Sequence, residues 1–268
     1  MSPAATLVEA LDPLRADPGA SAALLDIDGT LAPIVRHAAD AHVPEATRSL
    51  LIEIARRYRV VACVSGRRTA VARQIVAIGT IAYVGNHGAE VLMPRATQAR
   101  VDPRVAEWGE RIARFARSVE TADLQRLRVR GEDKETIAAF HWRGAPDEEA
   151  AREAVVEIAR RAQADGFAVH WGRKVLEVRP PVALDKGVGV SALLRDTPPV
   201  NAAVYVGDDT TDLDAFRALR AHVEDGRLQT AICVGVSSEE TPEDLEREAD
   251  LMLDGPGGVR ELLEALLG

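Results

Sequence analysis

The sequence predicts an α/β protein, a mostly parallel sheet interrupted by a self-contained α+β insertion. Three observations predict it. Short apolar runs alternate with amphipathic helical stretches through residues 20–93 and again through 186–267, as strands joined by right-handed helical crossovers do. Residues 94–182 change to the order helix-strand-strand-helix-strand-strand, opened by Pro94 and closed by Pro180-Pro181, with a weak internal duplication. The core strands also end on residues that carry chemistry: Asp26 and Asp28, then Ser65, then Asp208 and Asp209.

In chain order, residues 3–17 place Leu7, Val8, Leu11 and Leu14 on one helical face. Ala20 to Leu25, bounded by Gly19 and Gly29, is a buried strand. Residues 36–43 form a polar, His-containing loop, and Pro44-Glu45 opens a helix. Strands follow at 59–64, 81–84 and 89–93, with a helix to about residue 78 after the first of them. The insertion has helices at 103–121 and 146–165 and strands at 127–130, 136–142, 167–171 and 175–179. The core resumes with helices at 186–195, 211–221 and 257–267 and strands at 202–206, 231–234 and 249–253.

Composition narrows the function. At 268 residues and 47% hydrophobic content the chain can bury one large core or two modest ones. A net charge of -9 argues against nucleic acid or an anionic membrane as partner. No uncharged apolar run approaches membrane-spanning length, and Glu9, Asp12, Arg15 and Asp17 interrupt any signal-peptide core, so a cytoplasmic chain is expected. Cys63 and Cys233 sit singly in apolar strands and read as buried small hydrophobes. Among 33 basic residues only Lys134, Lys174 and Lys186 are lysine, and all three fall inside motifs.

Singly, these motifs have plain explanations. Asp26-x-Asp28-Gly29 fits an Asx-type turn, Ser65-Gly66 a turn, Lys186 a solvated helix residue, and Gly207-Asp208-Asp209 a turn and helix cap. Together they stand at the carboxyl ends of parallel strands or at helix starts, which converge on one rim. Clustered carboxylates stay ionised together only around a cation, and hard oxygen ligands suit Mg²⁺. A hydroxyl and an ammonium beside them complement an anion, so the set describes a phosphoryl-transfer site. Asp26 is placed to attack phosphorus and form an aspartyl-phosphate. Asp28 is placed to protonate the leaving oxygen and then accept a proton from water, its backbone carbonyl also serving the metal. Ser65 and Lys186 hold the non-transferred oxygens. Asp208 is the direct ligand, and Asp209 and Asp212 act directly or through water.

In this order, Asp26-x-Asp28-Gly29-Thr30, Ser65, Lys186 and Gly207-Asp208-Asp209-x-x-Asp212 resemble the four motifs of the haloacid dehalogenase-type phosphatases. That resemblance implies a Rossmann-like core over 1–93 and 183–268, a substrate-selecting α+β cap over 94–182, and an Mg²⁺-dependent aspartyl-phosphate mechanism. Further segments resemble the trehalose-phosphatase subfamily: Leu25 to Ile34, Gly85-x-His87-Gly88-Ala89-Glu90, Glu132-Asp133-Lys134, His141-Trp142-Arg143, Gly172-Arg173-Lys174 through Pro180, and Gly207 through Phe216. Trp142, Arg173 and Leu213 depart from that pattern, where Tyr, Lys and Glu are usual. The resemblance implies substrate contacts at Gly66, Arg67, His87, Glu132, Lys134, Arg143, Arg173, Lys174 and Glu177.

Carboxylates that accept bonds from vicinal hydroxyls, and cations that donate, suit a disaccharide phosphate. The same cap residues also fit ion pairs between strands, and His87 a structural histidine at a tight turn. Trp108, Trp142 and Trp171 read as cap core before a sugar-stacking platform. The resemblance implies trehalose 6-phosphate as substrate of a monomer, with a trehalose-phosphate synthase as a further partner. Another sugar phosphate (glucosyl-3-phosphoglycerate or sucrose phosphate), a phosphosugar mutase and a non-catalytic sensor are the rival readings.

Overall fold

The computed structural model describes residues 3–35, 40–238 and 241–268. Residues 36–39 of the expected polar loop lie outside it. The chain divides into two compact units, residues 1–100 with 184–268, and residues 101–183.

In the first unit the elements are α1 (Pro3–Ala16), β1 (Ser21–Leu25), α2 (Glu45–Arg57), β2 (Val60–Val64), α3 (Thr69–Val76), β3 (Ala82–Gly85) and β4 (Glu90–Leu92). The two-residue strand β5 (Arg100–Val101) is where the chain leaves the sheet. After the second unit come α8 (Lys186–Asp196), β10 (Ala202–Gly207), α9 (Asp212–Glu224), β11 (Thr230–Ser237), α10 (Glu243–Glu248), β12 (Leu251–Asp254) and α11 (Gly255–Leu267). The sheet has the order β12-β11-β10-β1-β2-β3-β4-β5. Pairing is parallel from β12 through β3 and antiparallel between β3 and β4.

Both faces of the central strands β10, β1, β2 and β3 are buried, so these strands read as continuous apolar runs. Ala23, Leu25, Cys63, Val204 and Val206 point to a layer formed by α1, α2, α3 and α11. Ala22, Leu24, Ala62, Ala203 and Tyr205 point to one formed by α8, α9 and α10. The period of two thus carries β1 through the middle of the molecule and releases Asp26 at its centre, where the Asp26 N–H donates to Val206 O at 2.8 Å. Compact packing holds the chain in this unit through Arg100, beyond the break expected at Pro94. Ala96 and Ala99 pack on the core, and Arg73 donates to Ala96 O at 2.8 Å.

The second unit comprises α4 (Pro103–Ala106), α5 (Gly109–Val119), α6 (Ala122–Arg126), β6 (Arg130–Asp133), β7 (Ala138–His141), α7 (Glu148–Ala164), β8 (Ala168–Gly172) and β9 (Val175–Arg179). The single helix expected over 103–121 is two. The chain kinks at Trp108, whose ring packs edge-on to Phe167 with centroids 5.9 Å apart and carries the Arg111 guanidinium 4.1 Å above it. The strand expected at 127–130 begins only at Arg130, because α6 runs to Arg126 and a turn with Arg128 at φ 55° follows it. The antiparallel sheet has the order β6-β7-β9-β8. One face (Ala138, Phe140, Trp142, Leu176, Val178) is packed by α5 and α7. Register places Glu132, Ala139, Glu177 and His170 in one row on the other face, with His141 two residues along. Trp108 and Trp142 join the apolar core, while Trp171 is exposed and rests edge-on against Trp142.

Candidate active site

β1 ends at Leu25, and the next turn is tied by Gly29 N–H to Ala32 O and by Ala32 N–H to Ile27 O, both 2.8 Å. Gly29 has a φ of +91°, and a Cβ there would stand 2.1 Å from Asp208 Oδ2. The Asp26 loop and the Asp208 carboxylate are therefore in close contact, although 182 positions separate them in sequence.

Lys186 begins α8, capped by the Asp185 side chain, which accepts from Val188 N–H at 2.8 Å. Its buried ammonium donates to Asp26 Oδ1 at 2.6 Å and to Asp212 Oδ1 at 2.7 Å. Asp26, Asp208 and Asp212 are all buried, and one carboxylate oxygen from each lies within 4.8 Å of the others. Burial pushes the Asp26 carboxyl well up from its ordinary range; Lys186 opposes this, and the charges of Asp212, Asp208 and Asp28 add to it. Burial pushes Lys186 down, but Asp212 and Asp26 outweigh it and the net direction is up. A fixed ammonium offsets part of the repulsion among three buried carboxylates. A divalent cation held by hard oxygens would offset the rest, so the donor set fits a divalent metal.

The remaining expected residues divide. Asp28 is not in that cluster; its two oxygens accept from Arg67 Nε and Nη2, each at 2.7 Å. Asp209 accepts from the N–H of Thr210 at 2.8 Å, so its carboxylate serves its own turn. Ser65 is buried at the end of β2, and its Oγ accepts from Arg67 N–H at 3.1 Å. His87 takes a left-handed φ of 51°, and its ring stands where a Cβ on Gly66 would be.

In the second unit, Lys134 donates to Glu177 Oε1 at 2.8 Å, and Arg179 Nε donates to Glu177 Oε2 at 3.0 Å. Glu132 Oε2 and His141 Nε2 are 2.8 Å apart, and that bond holds the Glu132 carboxyl below its usual range. Lys174 instead donates to Glu148, at the start of α7, at 2.7 and 2.8 Å. Arg143 donates to the Arg173 carbonyl at 3.2 Å, at the turn between β8 and β9.

Two residues escaped the sequence-derived set. Glu90, buried, accepts from Thr69 N–H and Oγ1 at 2.9 Å and from Asn86 Nδ2 at 2.5 Å, clipping the loop after β2 to the loop after β3. Its place in the Gly-x-His-Gly-Ala-Glu segment was the available signal. Tyr205 donates to Asp212 Oδ1 at 2.7 Å. In an apolar strand it reads only as a core aromatic.

The trehalose-phosphatase family profile matches residues 24–250. A trehalose-phosphate phosphatase of Mycobacterium marinum is 34% identical over 241 residues, covering 81% of this chain and 58% of that protein. An uncharacterized glycosyl hydrolase of Mycobacterium tuberculosis is 31% identical over 212 residues, 74% of this chain and 15% of that protein. The chain thus spans between about a seventh and three fifths of these two relatives. The trehalose-6-phosphate phosphatase C-terminal domain of C. albicans superposes with a TM-score of 0.72 at 21% identity, over 98% of this chain and 96% of that one, a likeness of fold. No described helix is long and apolar enough to cross a membrane. With the profile spanning every motif on the rim, from Asp26 to Asp212, the chain belongs to the trehalose-phosphatase family.

Proposed function

We propose that the chain hydrolyses trehalose 6-phosphate to trehalose and phosphate, with Asp26 as nucleophile. One observation carries this. Among the described residues Asp26 has one oxygen held by the Lys186 ammonium and no hydrogen-bond donor on the other, beside two further buried carboxylates. An oriented carboxylate with one unengaged oxygen is what in-line attack on phosphorus requires.

In the first half-reaction the free Asp26 oxygen forms a bond to phosphorus as the bond from phosphorus to the sugar oxygen breaks. Asp28 gives that oxygen its proton. In the second, Asp28 takes a proton from water, whose oxygen attacks phosphorus and releases phosphate and the Asp26 carboxylate. Ser65 and Lys186 hold the non-transferred oxygens. Arg67, which pairs with Asp28, is placed to exchange that carboxylate for the substrate phosphate. Bound Mg²⁺, held by Asp26 and Asp208, would reduce the repulsion between the carboxylates and the phosphate. Glu132, Lys134, His141 and Glu177 on the polar face of the second unit supply the mixture of acceptors and donors that sugar hydroxyls need. The free, buried thiols of Cys63 and Cys233 suit a reducing, cytoplasmic compartment.

The test is phosphate release from trehalose 6-phosphate, sucrose 6-phosphate and glucosyl-3-phosphoglycerate with Mg²⁺ and no bisphosphate activator. Trehalose 6-phosphate should have the highest kcat/KM, and a lower rank refutes the substrate assignment. Asp26→Asn should abolish release in a folded protein; undiminished turnover overturns the nucleophile.

A further inference from the structure

We propose that Tyr205 is a positioning residue: its hydroxyl completes the saturation of Asp212, so that Asp212 aims Lys186 at Asp26 and does not itself ligate the cation. The inference rests on the phosphoryl-transfer reading for its catalytic consequence, but its structural half stands apart from it.

Proximity alone makes Asp26, Asp208 and Asp212 equal candidates for ligation, with oxygens within 4.8 Å of one another. Donor occupancy separates Asp212 from Asp26. Asp212 is 0% exposed and each of its oxygens accepts twice. Oδ1 accepts from Lys186 Nζ and from the Tyr205 hydroxyl, both at 2.7 Å. Oδ2 accepts from the N–H groups of Asp208 at 3.1 Å and Asp209 at 3.0 Å. A carboxylate offers about four lone-pair sites. All four are filled, so a cation reaching Asp212 has to displace a donor that is itself buried. Among the described residues Asp26 carries a single donor, on one oxygen.

The tyrosine is what closes the set. β10 is otherwise apolar where it faces α8 and α9, and the Tyr205 ring is fixed by packing, edge-on to Phe216 with centroids 5.9 Å apart. The hydroxyl therefore arrives at Asp212 on a rigid stem. With one Oδ1 site taken by the phenol, the other is left to Lys186, whose ammonium then reaches Asp26 at 2.6 Å. Removing the hydroxyl leaves Oδ1 with a vacant site and the ammonium with latitude to follow it. The turn at Asp208-Asp209 is held through the same carboxylate, so one group sets both the lysine and the loop that bears the expected ligand.

Two measurements on the full chain test this. In wild-type crystals soaked with Mn²⁺, the anomalous peak should lie at ligand distance from Asp26 and Asp208 and beyond it from both oxygens of Asp212. A peak at ligand distance from Asp212 overturns the proposal. In Tyr205→Phe, which keeps the packed ring, kcat should fall at least fivefold, while KM and the Mn²⁺ affinity measured by calorimetry stay within twofold. An unchanged kcat overturns it, as does a tenfold loss of Mn²⁺ affinity. Should Tyr205→Phe not fold, the position of Mn²⁺ in the wild type decides. If the wild type releases phosphate from no sugar phosphate, the proposed function fails, and the Mn²⁺ position still decides the role of Asp212.

Discussion

Replacing Gly29 by alanine should cost far more activity than stability. Two effects act there. A residue with a Cβ in the left-handed region loses about 1–2 kcal/mol, and at the usual scaling for a chain of this size that lowers the Tm of the first unit by about 2–8 °C. The second effect is contact. The added Cβ would lie 2.1 Å from Asp208 Oδ2 and 2.4 Å from its Cγ, where ordinary contact begins at 3.4 Å. The turn is pinned by two 2.8 Å hydrogen bonds, so the Asp208 carboxylate is the group that yields, by about 1 Å. A misplacement of that size at a reacting centre costs about 100-fold in rate. Gly226→Ala supplies the control, with a φ of +72° and nothing within 4 Å of the added Cβ. Phosphate release at saturating Mg²⁺ and thermal unfolding, measured on both variants, separate strain from contact. Similar Tm losses with a rate loss of about 100-fold confined to Gly29→Ala are expected. Turnover in Gly29→Ala within about threefold of Gly226→Ala would refute the coupling of this turn to Asp208.

Lys186→Met leaves Asp26 and Asp212 buried without their cation, and should destabilise the first unit by about 3–5 kcal/mol in urea unfolding; added Mg²⁺ should raise the variant's midpoint more than the wild type's. Lys134→Met, in the second unit, should raise KM for trehalose 6-phosphate about tenfold or more while leaving KM for p-nitrophenyl phosphate within about twofold, and an equal rise for both would remove Lys134 from sugar recognition. His222 gives a pH dependence. Burial first, then the charge of Arg227, holds its imidazole below the ordinary 6.5, so the folded protein favours the neutral ring. Its contribution is complete above pH 6.5 and is lost as pH falls through the depressed value, because the unfolded chain takes up the proton first. Urea midpoints should therefore fall less steeply for His222→Gln than for wild type from about pH 7.5 to about pH 5; parallel profiles would show the ring not to be the source.

The core strands were readable because each is short, apolar and bounded by polar residues. β1, β2 and β10 end beside Asp26, Ser65 and Asp208, and parallel pairing brings those ends to one edge. α10 was not readable: six residues with a single buried apolar side chain, Leu245, give no period to detect. The kink at Trp108 also lies outside local pattern, because the helical period runs through it and only the distant Phe167 shows where the indole goes. At the site, spacing identified the carboxylates but not the distribution of donors among them. Asp28 faces Arg67, Lys174 faces Glu148, and Asp212 gathers four donors from three separate stretches. Such pairings depend on side-chain reach across the fold, which no local sequence pattern encodes.

The central strand has a further consequence in the order of synthesis. β1 pairs on one side with β10, where Leu24 lies opposite Tyr205, 181 residues later in the chain. On a ribosome adding about 5–20 residues per second, roughly 10–40 s pass before that partner exists. β6 to β9, by contrast, pair entirely within residues 130–179 and are all made while β1 still waits. For that interval the most buried strand of the finished protein has one hydrogen-bonding edge without its native partner, the kind of edge that recruits other chains. The nascent chain is therefore most exposed to aggregation between the emergence of Leu25 and that of Val206, and Asp26 meets Lys186 and Asp212 only at the end of it.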